Sequence, residues 1–236
     1  MQLTDSSIAQ LYTIPVADWT AINKRVGVVL MTVPIASEIQ SELPSFGALL
    51  TTCQAWSSGT FQTLIDQSNA LHAYATTAIA NFTALQQAVN ALTGDTVPTA
   101  VQQQTNAALL QLANDTSPLT QAFATLSSQV SDFMNANQAV DSQLNQAQKA
   151  LGFVWQPITD ITTAVDHATG LVNGAFQAIN SDLKAATSGQ IDVTMPFLEG
   201  LSIDVAIQAW QRIQSETGAF PSMANDQKQY WQSPVM

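Results

Sequence analysis

The chain has 236 residues, enough for one generous domain or two small ones; 46% of them are hydrophobic and only 10% are charged. Its 17 acids against 6 bases leave a net charge of −11, and no Lys or Arg lies between Arg25 and Lys149. That balance argues against a nucleic-acid partner, whose binding rests on Lys and Arg contacts to phosphate, and against docking on anionic lipid by charge alone.

In chain order, a short first element is predicted over about 4–12, and a helix from Val16–Asp18 towards Glu42. Inside that helix, VGVVLMTVPIAS (26–37) carries no charge. It is shorter than the roughly 20 apolar residues that span a bilayer, and Pro34 interrupts it. Its first reading is buried core; its second is a lipid or partner contact through Val28, Val29, Leu30 and Met31.

A long helix is predicted from Pro44 to Leu92, with Thr93-Gly94-Asp95 and then Pro98 as its stop. Positions 64, 68, 71, 75, 78, 82, 85, 89 and 92 are Leu, Ser, Leu, Ala, Ala, Phe, Leu, Val and Leu. A sustained 4-3 spacing of this kind marks a face turned to partner helices. At ~1.5 Å per residue such a helix reaches about 70 Å, which predicts an elongated bundle. The outer face is Gln, Asn, Ser and Thr, with Asp66 the one formal charge between 61 and 92.

The same phase runs through 112–151, from Leu112 and Leu119 by Phe123, Leu126, Val130 and Phe133 to Leu151. A kink or brief break is expected at Ser117-Pro118, and the short link at 94–98 predicts an antiparallel partner to the preceding helix. Asn137, alone among apolar seam positions, is expected to fix register. A third periodic run follows Pro157, from Ile158 to Leu183, with Gly170 and Gly174 inside it. Residues 187–200 break the pattern with Gly189, Pro196 and Gly200 and are read as an irregular segment with a short strand at 191–194. A last helix is predicted over 202–217 with Val205, Trp210 and Ile213 inward, and the tail from Pro221 is left unassigned. The fold class is all-α: a single domain over 1–236, an elongated antiparallel bundle of about five helices.

No nucleophile elbow, phosphate loop, HExxH or dinucleotide fingerprint occurs, so no enzyme activity, cofactor or metal is expected. His72 and His167 read as solvated flank residues. Cys53 is the only cysteine, which leaves no disulfide framework, and reads as a buried, inert thiol. The amide-rich, Lys-poor composition points to a secreted protein, although residues 1–12 lack the basic start and apolar run of a signal peptide. Gly152-Phe153-Val154-Trp155 and Gly170–Phe176 cluster after the longest helix. Phe153, Val154, Trp155, Leu171, Val172 and Phe176 therefore form a second candidate membrane or partner contact.

Residues 43–46 (LPSF), Trp56, Leu64-Ile65-Asp66, Tyr74, Phe82 and Leu85 resemble the second helix of the haemolytic-enterotoxin group of α-helical pore-forming toxins. That group includes the cytolysin A-like toxins, the Bacillus three-component enterotoxins and related insecticidal proteins. Residues 99–151 resemble the helix that follows in those proteins, and Trp210 in AIQAWQRI looks like the Trp of their late helix. The resemblance covers 40–150 and 202–217 and implies a hydrophobic head that enters lipid while helices rearrange into an oligomeric pore. Here 150–200 stands in the place of that head, reduced and carrying Asp160, Asp166 and His167. The resemblance thus implies a secreted pore-forming toxin, or one component of a multi-component set, with insecticidal action among the roles it implies. Its expected partners are the target-cell membrane, further copies of itself or separate toxin subunits. The alternative is a helical interaction or scaffold protein whose seams serve only its own core.

Overall fold

The computed structural model describes residues 3–94, 96–151, 156–188 and 191–232, apart from the side chains of 149–151. The chain is all-α. A 3-10 segment at Ser6–Thr13 is followed by α1 (Val16–Met31), α2 (Ala36–Glu42), α3 (Phe46–Ala55), α4 (Phe61–Asn90) and α5 (Thr99–Leu151). Then come α6 (Thr159–Thr187), α7 (Met195–Gly200), α8 (Ile203–Gln227) and the single turn α9 (Gln229–Gln232). No strand occurs among the described residues. Residues 191–194 are irregular because no second extended segment is there to share ladder bonds, and Thr194 instead caps α7 by accepting from the Phe197 N–H.

Two further expectations change in detail. The helix begun at Val16 stops at Met31, where a 3-10 turn at Val33–Ile35 carries Pro34 before α2 starts. The long helix from residue 46 contains a π-turn at Trp56–Thr60, closed by the Phe61 N–H donating to the Trp56 carbonyl. That extra residue resets the phase. The 4-3 register read backward from Leu64 puts Phe61, Ser57 and Gln54 on the seam, whereas the buried residues are Phe61, Trp56 and Cys53. Pro118, by contrast, lies inside an uninterrupted α5.

The residues group into two compact units. One unit contains 1–12, 67–124 and 171–219. In it, Tyr74 pairs with Thr116 and Asn81 with Gln111, so α4 and α5 run antiparallel. Ser68–Thr217 and His72–Gln214 step in opposite directions in the same way, which makes α8 antiparallel to α4. The core is aromatic: Phe176 stacks on Phe123 at 5.3 Å, and Tyr74 meets Trp210 edge-on at 5.0 Å. Two of the buried rings have their polar ends paired: the Trp210 indole donates to the Leu3 carbonyl at 3.0 Å and the Tyr74 hydroxyl is bonded to Thr116. Val205, expected inward, is 63% exposed; Trp210 and Ile213 are buried.

The other unit contains 13–66, 125–170 and 220–236. Trp56 stacks on Phe133 at 4.4 Å and donates its indole N–H to Asn23 Oδ1, while Trp19 lies between Phe61 and Phe220. The tail left unassigned by sequence is helical to Gln227 and then turns, placing Trp231 edge-on against Phe61. Asn137 is buried but donates to the Phe133 carbonyl of its own helix, so its bond lies within α5 rather than across to a partner that would fix register.

Candidate functional site

In the unit built from 13–66, 125–170 and 220–236 a cleft of about 860 Å³ runs along α1. Ala17, Ala21, Val28 and Val29, with Thr20 and Thr32, form one wall at the spacing of a single helix face. The opposite core face of α1 carries Trp19, Ile22, Asn23 and Val26, all buried, so the helix is apolar on two sides. One side is used for packing and the other is left to the cleft. Ile39 of α2, Leu43, and Phe46 and Leu49 of α3 make the second wall. Val140 and Leu144 of α5 and Pro157, Ile158 and Ile161 at the start of α6 complete it.

An ion pair borders this cleft. Arg25 Nη1 lies 3.0 Å from Asp141 Oδ1, with side-chain exposures of 9% and 2%. Arg25 Nη2 donates to the Gln156 carbonyl at 2.8 Å. The other carboxylate oxygen, Asp141 Oδ2, accepts from the Ile158 N–H at 2.9 Å and from the Thr159 hydroxyl at 2.8 Å. One carboxylate thus neutralises α1's guanidinium and satisfies donors at the start of α6, where a negative charge is also favoured by the helix dipole. Lys24, one residue away, is exposed and holds its ammonium 5.5 Å from the Tyr230 ring centroid.

Cys53 lies buried in the same unit. Burial pushes its thiol up from 9.0 to about 12, against a smaller opposing pull from the Arg25 charge. A thiol held neutral in this way is not a nucleophile. Among the described residues, no three His, Cys, Asp or Glu side chains gather into a metal-binding set.

The contact residues proposed from sequence separate into three groups. Val28 (56% exposed) and Met31 (53%) are at the surface, Val29 is buried against the cleft, and Leu30 is half-buried. Val33 and Ile35, at 47% and 52%, extend the exposed apolar run beyond what the sequence reading named. Phe153, Val154 and Trp155 lie outside the described residues. Leu171 is half-buried, and Val172 and Phe176 are fully buried, Phe176 within the ring cluster with Phe123 and Tyr74. Those last two serve the core and present no surface contact. The segment 26–37, read first as core, is core only at Val26, Gly27 and Val29.

Lys24, Arg25, Leu43 and Phe46 are cleft residues that sequence reasoning missed. The available signal was the pair Lys24-Arg25 itself, two of the chain's six bases set beside the uncharged apolar stretch 26–37. No helix among the described residues is long and apolar enough to cross a membrane. Compared with protein-family models, curated proteins and solved structures, the chain matches none.

Proposed function

We propose that this is a non-enzymatic, secreted helical protein that associates with target-cell membranes and oligomerises, as a pore-forming toxin or as one component of a multi-component set. The observation that carries the reading is the run of exposed apolar side chains Val28, Met31, Val33 and Ile35 at the break between α1 and α2. Four half-exposed apolar side chains within eight residues are a concentration that a lipid or partner contact would cover. The scarcity of charge on the long helices supports the same reading. Amide and hydroxyl faces cost less to desolvate than ionised ones when helices exchange water for lipid or for neighbouring copies. No helix among the described residues is long and apolar enough to span a bilayer, and amphipathic helices with apolar stripes towards lipid and amide stripes inward are the proposed route of entry. Dye release from phosphatidylcholine vesicles, with and without candidate partner subunits, tests this. Release accompanied by oligomer formation is expected; absence of both release and vesicle association in every combination removes the reading.

One observation favours a scaffold protein instead. The α4 seam from Leu64 to Leu85 and the α5 seam from Leu112 to Val140 are buried within the chain itself. A protein of that kind gives the same sedimentation profile with and without liposomes.

A further inference from the structure

We propose that the cleft along α1 binds one long-chain carboxylate, a free fatty acid, with its head on the Lys24 ammonium and its tail among Val28, Val29, Ile39, Leu43 and Phe46. Three observations carry this. The volume of about 860 Å³ falls in the range of about 300–1,000 Å³ typical of small-molecule sites. The walls are predominantly aliphatic and aromatic; towards the C-terminal end of α1 they are Val28, Val29, Ile39, Leu43 and Phe46, with Thr32, whose hydroxyl donates to the Val29 carbonyl. The charge is of one sign: Lys24 and Arg25 are the charged residues among the described lining, and no acid lines the cleft. In a chain of net charge −11, two of the six bases meet here.

The two bases have different tasks. Arg25 is occupied by Asp141 and by the Gln156 carbonyl, so its charge is already balanced. Lys24 makes no ion pair among the described residues and holds its ammonium 5.5 Å from the Tyr230 ring centroid, leaving ammonium donors for an anion. A net single positive charge beside an apolar channel complements a monoanion with one hydrocarbon tail better than a dianionic phosphate or a neutral lipid. The site stands whether or not the protein perforates membranes, because it requires only the cleft and Lys24.

Isothermal titration calorimetry of the full chain with oleate, kept below its micelle-forming concentration, tests the inference, with oleyl alcohol as the neutral comparator. One saturable oleate site per chain is expected, with weaker binding of the alcohol. Lys24→Glu is expected to weaken oleate by about fivefold to tenfold, the scale of an exposed charge pair reversed, and Lys24→Arg to keep it. Lys24 is exposed, so neither change endangers folding. Val28→Asp, at a half-exposed wall position, is expected to abolish oleate binding while circular dichroism stays unchanged. The inference is overturned by any of three results: no saturable oleate binding, equal affinity for oleate and alcohol unmoved by Lys24→Glu, or association with phospholipid vesicles but not with monomeric oleate.

Discussion

Arg25 and Asp141 stand 116 positions apart in the chain and 3.0 Å apart in space, almost wholly out of water. The pair joins α1 to α5, and through the second carboxylate oxygen it also holds the start of α6. Removing one member of such a pair leaves the other charged and uncompensated. Asp141→Leu is expected to cost about 3–5 kcal/mol, and Arg25→Met nearly as much. The double replacement Arg25→Met with Asp141→Leu should recover part of the loss, though not the α6 cap. Urea unfolding midpoints of the four proteins close the cycle.

Gly27 permits a contact that no other residue type allows. A Cβ added there would lie 2.1 Å from the Tyr230 carbonyl oxygen, a backbone atom that cannot swing aside as a side-chain end can. Gly170 and Gly174 have open space by comparison, so their absence of a side chain is not required by a neighbour. Gly27→Ala should therefore displace α9 and cost about 1–3 kcal/mol, as overpacking does. Because Trp231 packs edge-on against Phe61, a red shift of tryptophan emission should accompany the loss.

Alkaline pH should destabilise the fold through Cys53 first. Its thiol is held up at about 12 when folded, against an ordinary 9.0, so the unfolded chain releases the proton at lower pH than the folded one. Between those values the unfolded state binds fewer protons, and stability falls as pH rises. Each pH unit above the ordinary value costs about 1.4 kcal/mol for one such group. Burial raises the Tyr74 hydroxyl as well, which adds to the slope above its ordinary 10.0. Urea titrations at about pH 8 and about pH 10 should show the drop, and Cys53→Ala should flatten its first part.

Replacing Val28, Met31, Val33 and Ile35 together by Ser should weaken vesicle co-flotation without lowering the melting temperature. All four are about half exposed, so the folded protein gains little from them. Full burial of such a side chain in lipid is worth about 1.5–3 kcal/mol, and losing even two of them should reduce partitioning by tenfold or more. Unchanged flotation would shift the membrane contact elsewhere in the chain.

The helices of this protein are legible in its sequence because their signal is local. The 4-3 spacing from Leu64 to Leu85 and from Leu112 to Val140 is observed as continuous burial, and the stop at Thr93-Gly94 lies within a few residues of the end of α4. Local signals also misled. Val205 fits the apolar period of α8 yet faces water, and Pro118 carries a break signal inside a helix that continues. Tertiary context can override a period or a propensity, and at Pro118 it is the expected break, not a kink, that the continuous helix removes.

Composition and periodicity by themselves determined the all-α class, the inward residues of α4 to α6 and the chain's lack of surface charge. Only the tertiary structure decided which apolar residues remain uncovered. Val28 and Val26 are two positions apart with the same side chain, and only the neighbours brought by α3, α5, α6 and α9 make one core and the other surface. It likewise decided that Lys24 is available while Arg25 is spent, because Asp141 lies far along the chain and no local pattern announces it. Helix formation depends on residues three and four apart; a cleft and its charge depend on residues more than a hundred apart, whose pairing follows from how the helices pack.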